Sequence, residues 1–123
     1  MTVCQVFYRH HPILSPITMA DATVTVDAGV CRFKTVITAT MDDEMNITFK
    51  VKSECPAVRE MAKSMRPVPL FEAIAMPFSE NVIYKEFGCN LQHVACPVPC
   101  ALVKTAEVTG EMALKKEVSI KIE

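Results

Sequence analysis

Hydrophobic and polar positions alternate along the first half of the chain. Thr23-Val24-Thr25-Val26 has period two, and so has Asn46 to Lys52, where Ile47, Phe49 and Val51 alternate with Thr48, Lys50 and Lys52. Between them, Phe33 to Thr40 is rich in β-branched residues. Period two sends successive side chains to opposite faces, so each stretch reads as a half-buried strand. Ala28-Gly29-Val30-Cys31 and Asp42-Asp43-Glu44 are turn segments. Strands joined by such short connections form an antiparallel meander with one buried face.

The period then lengthens. Val58, Met61, Ala62 and Met65 follow the i, i+3, i+4, i+7 spacing of a helix that Cys55-Pro56 opens. Proline is tolerated at the first helical position because its missing N–H has no partner there. A short helix is predicted over Leu70 to Met76, stopped by Pro77. Another is predicted over Glu80 to Phe87, with Ser79 as N-cap and Gly88 as its stop. A further helix is predicted over Pro97 to Thr109, ended by Gly110. Val118, Ile120 and Ile122 alternate with Ser119 and Lys121, which predicts a closing strand. The order β-β-β-α-α-α-α-β gives an α+β fold. It is a mainly antiparallel sheet, a three-strand meander plus a C-terminal strand, with helices packed on one face. Residues 1–18 have no clear period and read as an N-terminal arm; 19–123 read as a single α+β domain. Cys4, His10 and His11 fall in the arm and are weak site candidates.

Composition narrows the function. Half of the 123 residues are hydrophobic, enough for a core without disulfide staples. Thirteen basic residues stand against 14 acidic ones, with no block of like charge. Nucleic acid therefore has no electrostatic footprint here, and a membrane surface no basic patch to attract. No apolar run approaches the roughly 18 residues that span a bilayer. Arg9, His10, His11 and Pro12 interrupt any signal-peptide core. The expected compartment is the reducing cytoplasm, where cysteines serve as ligands, nucleophiles or core residues. With only three glycines and no Walker A, GxGxxG, GxSxG or HExxH pattern, the common nucleotide and hydrolase sites are excluded.

The chemistry that remains is that of six cysteines. Cys31, Cys55 and Cys96 each fall at the junction of a predicted element, where thiols from different segments can converge at one end of a small domain. Cys55 and Cys96 precede prolines at helix starts, where the helix dipole and free N–H groups favour thiolate. Cys100 follows Cys96 by four residues and His93 precedes it by three. Cys31, Cys55, Cys96, Cys100 and His93 are thus the candidate metal ligands. Cys89 beside Gly88 is a bystander, and Asp42, Asp43 and Glu44 read as a solvated turn. Met61, Met65 and Met76 read as core.

Val26-Asp27-Ala28-Gly29-Val30-Cys31, Ser53-Glu54-Cys55-Pro56 and Ala95-Cys96-Pro97-Val98-Pro99 resemble segments of a small uncharacterised domain family of anaerobic archaea and bacteria. The order of Cys31, Cys55 and Cys96 is also similar to NifU/IscU-type iron–sulfur cluster scaffolds. It departs from them at Phe33, where the scaffolds carry aspartate, and at Glu54-Cys55-Pro56, where they carry Gly-Cys-Gly. That resemblance implies three thiolates converging at one end of the sheet on an iron–sulfur cluster or zinc. The expected function is a non-catalytic, cytoplasmic thiolate metal- or cluster-binding protein, scaffold- or carrier-like, with a metal or cluster donor or acceptor protein as partner. Two alternatives stand beside it. One is a thiol redox or thiol-transfer protein, with Cys96 as a low-pKa nucleophile resolved by Cys100 or Cys55. The other is a structural or adaptor domain whose cysteines only pack. Exposed sheet edges also allow a homodimer.

Overall fold

The computed structural model describes residues 21–123; the predicted N-terminal arm lies outside them. Three strands follow one another as predicted: β1 (Ala22–Asp27), β2 (Lys34–Met41) and β3 (Asn46–Ser53). All pair antiparallel. Val24 lies opposite Ile37, and Ile37 opposite Val51. This register stacks one set of side chains inward and sends Thr23, Thr25, Thr38, Thr40, Lys50 and Lys52 outward.

The β2–β3 turn is fixed by Asp42, whose carboxylate accepts the N–H groups of Glu44 and Asn46, each at 2.9 Å. Asp42 is held below the usual carboxylate range, chiefly by the Asn46 N–H. Met45 takes the left-handed conformation (φ 65°) that a tight hairpin requires.

Helix α1 (Pro56–Ser64) starts on Pro56 and buries Val58 and Met61. The chain then forms a short strand, β4 (Val68–Pro69), on the edge of β3, opposite Ile47 and Asn46. The sheet order is β1-β2-β3-β4. Helix α2 (Leu70–Ala73) is shorter than predicted. Helix α3 (Val98–Thr109) closes the fold over β1 and β2, burying Val98, Leu102, Thr105, Ala106 and Thr109 along one stripe. The core is shared by Ile37 and Ile47 of the sheet, Met61, Leu70 and Leu102 of the helices, and Ile83 and Phe87 between α2 and α3.

Three expected elements need correction, and Met76, expected in the core, is exposed. The helix expected over Glu80 to Phe87 is a 3₁₀ turn at Phe78–Glu80 and a π-type turn at Ile83–Phe87. Asn81, not Ser79, is its cap. This buried side chain accepts the Ile83 N–H (2.8 Å) and donates to the Ala73 and Ala75 carbonyls, both at 2.9 Å. Two further carbonyls thus draw the chain out of helical register at this point. Gly88 does not stop the chain in a left-handed conformation; it continues right-handed (φ −64°) into a second 3₁₀ turn, Gly88–Asn90.

The third correction is the closing strand. Residues 114–123 carry no regular structure and are exposed. Alternation alone does not make a strand: the tail pairs with neither edge of the sheet, and the place beside Asn46 and Ile47 on β3 is taken by Val68–Pro69. The fourth strand therefore comes from the middle of the chain. No helix among the described residues is long and apolar enough to cross a membrane.

Candidate functional site: a cysteine end of the sheet

β1 and β3 end at the same end of the sheet, where β2 begins, since Asp27 faces Lys34 and Ser53 faces Thr35. Ser53 is the joint there. Its hydroxyl meets that of Thr35 at 2.7 Å and accepts the Cys55 N–H at 3.0 Å. Serine two residues ahead of a helix start satisfies backbone groups in this way. Glu54 adds a two-point clamp: its N–H donates to the Lys34 carbonyl (3.1 Å), and its carboxylate accepts the Lys34 N–H (2.9 Å). The backbone of Cys55 is thereby tied to the start of β2. The Cys55 side chain makes no capping hydrogen bond to α1, which leaves its sulfur uncommitted.

Cys31 sits on the β1–β2 turn. Gly29 (φ 84°) and Arg32 (φ 63°) turn the chain there, and the Asp27 carboxylate accepts the Gly29 N–H at 3.1 Å. Cys31 is exposed. Cys96 comes from the segment leading into α3, its N–H donating to the His93 carbonyl at 3.1 Å. It is half-buried against the core cluster, as Cys55 is.

The electrostatics tie the three together. Burial pushes the Cys96 thiol above its ordinary value; the Val98 N–H at the start of α3 pulls it back; Cys55 and Cys31 push it up again. Cys55 and Cys31 therefore both lie within electrostatic reach of Cys96. The expectation of a low-pKa Cys96 does not hold, because desolvation and like-charge neighbours outweigh the helix N-terminus. Such a group resists ionising alone. A cation among the thiols removes that resistance, since a coordinating thiol is deprotonated outright.

The remaining expected ligands lie elsewhere. Cys100, exposed in the first turn of α3, faces the Tyr84 hydroxyl. Burial first, and then Cys100, raise the Tyr84 pKa. His93 is exposed and lines a shallow pocket of about 250 Å³ with Tyr84, Leu91 and Pro99. The Cys89 thiol donates to the Glu86 carbonyl at 2.9 Å, which occupies it locally. Among the described residues no group of three or more His, Cys, Asp or Glu side chains is placed to hold a metal ion. Cys31, Cys55, Cys96, Cys100 and His93 are thus not an assembled ligand shell. The five described cysteines are all unpaired.

Ser53, Glu54 and Thr35 brace this end, and none of them stood out in the sequence. The signal was a serine two residues ahead of a helix-starting proline junction. The profile of a family of unknown function, DUF6951, matches residues 22–122. The chain belongs to the DUF6951 family. No curated protein and no solved structure is significantly similar to it. The family assignment carries no activity.

Proposed function

We propose that this member of the DUF6951 family is a non-catalytic thiolate protein that takes up a thiophilic metal ion or an iron–sulfur cluster on Cys31, Cys55 and Cys96. One observation carries the reading: Cys55 and Cys31, from two other segments, lie within electrostatic reach of the half-buried Cys96 thiol. A packing role does not call for three neighbouring cysteines of which one is exposed. Two of the three sit on braced or half-buried backbone, and Cys31 rides on an exposed turn. Binding would draw that turn inward and complete a three-sulfur site, with solvent or a partner molecule supplying any further ligand. A scaffold or carrier role, serving a metal or cluster donor or acceptor protein in a reducing cytoplasm, rests on the layout resemblance to NifU/IscU-type scaffolds.

Metal and acid-labile sulfide analysis with a visible spectrum, on protein purified without oxygen, tests this. Cys55→Ala and Cys96→Ala are measured beside it. Stoichiometric iron and sulfide lost in both variants identifies a cluster; stoichiometric zinc lost in both identifies a mononuclear site. Protein that carries neither, and takes up neither on reconstitution, overturns the proposal.

A further inference from the structure

The exposed tail has a charge pattern that the fold of one chain leaves unused. Val118, Ile120 and Ile122 lie on one side of its alternation and are 57%, 82% and 91% exposed. The other side reads Lys115, Glu117, Ser119, Lys121, Glu123. Reversed about Ser119, this series is its own complement: Lys115 falls opposite Glu123, and Glu117 opposite Lys121. The same reversal sets Val118 opposite Ile120, and Ile122 opposite Lys116, whose aliphatic stem can lie along it while the ammonium reaches water. Reversal about Ile120 instead puts Glu117 against Glu123, and reversal about Val118 puts Lys115 against Lys121. Like charges directly opposite disfavour both of those registers.

We propose that the tail is a homodimerisation strand, pairing antiparallel with the tail of a second copy about a two-fold axis at Ser119. A strand needs a partner edge, the tail takes none within its own sheet, and self-complementarity is what an isologous two-fold contact requires. Within one protomer Lys121 meets Glu123 at 3.3 Å in open water, a pair of little consequence. The tail is part of the shared domain, because the family match runs through residue 122. A two-stranded ribbon is marginal unless its apolar face is covered. The tail leaves from Gly110, which lies against Leu70, and the segment after Leu70 exposes Phe71, Met76 and Phe78 at 59%, 75% and 66%. These side chains supply apolar surface for the ribbon to close on. Dimerisation through the tail requires nothing of the thiols.

Analytical ultracentrifugation of the full chain under reducing conditions tests it, with Lys121→Glu and the double variant Glu117→Lys/Lys121→Glu. The wild type is expected to dimerise. Lys121→Glu turns two symmetry-related attractions into repulsions and should weaken the dimer by about tenfold or more. The double variant restores opposite charges and should recover the wild-type affinity. A wild-type chain still monomeric at about 100 µM, weaker than any specific dimer of use, overturns the proposal. So does a Lys121→Glu dimer as tight as wild type, or a double variant no tighter than the single one.

Discussion

The two ends of the sheet are built to different standards. At the end that carries the β2–β3 turn, polar groups are used up and backbones approach closely. Asp42 takes two N–H groups, the Leu70 N–H donates to the Met45 carbonyl at 2.9 Å, and β4 pairs with Asn46 and Ile47. A Cβ on Gly110 would stand 2.5 Å from a Leu70 methyl carbon. At the cysteine end the backbone is braced by Ser53 and Glu54, but the sulfurs of Cys31 and Cys55 engage no capping or turn hydrogen bond. One end spends its side chains on holding the chain together, and the other leaves the thiols of Cys31 and Cys55 without such a task.

Breaking the braced half should give the largest effects. Asn81→Ala removes a buried side chain that serves two carbonyls and the Ile83 N–H. Groups left unsatisfied cost about 1–3 kcal/mol each, partly relieved by water, so a loss of about 2–4 kcal/mol in chemical denaturation is expected. A loss below about 0.5 kcal/mol, the range of an ordinary surface change, would show that Asn81 is not the clamp. Gly110→Ala comes next. Gly110 has a right-handed φ of −82°, so the penalty is one of space alone. Leu70 is fully buried and has to shift, for an expected loss of about 1–3 kcal/mol. A Leu70→Ala background should soften that penalty, and a double-mutant cycle reads the coupling.

The acid limb of stability tests the β2–β3 turn more gently. Asp42 has its folded pKa lowered by the Asn46 N–H. Its contribution is therefore present above the ordinary carboxylate value and is lost as pH falls through the lowered one. Asp42→Asn should flatten the acid fall in melting temperature while leaving its alkaline side unchanged. An acid limb as steep as wild type would place that dependence on other carboxylates.

Much of this division was legible in the residues. Strict alternation in Thr23 to Val26 and Asn46 to Lys52 located β1 and β3, because period two matches a half-buried strand and does not match a helix. Pro56 and the Val58–Met61 spacing located α1 for a similar reason. The misses involve partners that the periodic pattern does not report. Val118, Ile120 and Ile122 alternate as well as β3 does, but a strand also needs an edge, and pattern does not report edges. Asn81 fell in the first turn of the helix predicted over Glu80 to Phe87, because its partners, Ala73 and Ala75, lie on the preceding segment. The placement of Cys31, Cys55 and Cys96 at element junctions was readable, whereas the rise in the Cys96 pKa was not. It depends on burial against the core and on Cys55 and Cys31 nearby, which no local rule for helix N-termini contains.

The smallest stability effect belongs to the cysteine end, and it sharpens the comparison most. Cys31 is exposed on a turn whose shape is set by Gly29, Arg32 and the Asp27 carboxylate rather than by the thiol. Cys31→Ser keeps the size and should change stability by no more than about 0.5 kcal/mol, as surface substitutions do. If the end holds a reserve of reactive groups, the same variant should lose most of the metal or cluster that wild type takes up under anaerobic reconstitution, since a thiolate ligand is gone. Denaturation and metal analysis on one preparation separate the two readouts. Unchanged stability with lost metal is the outcome expected of a functional end. Full metal retention would remove Cys31 from the ligand set and leave the exposed turn with no part in binding.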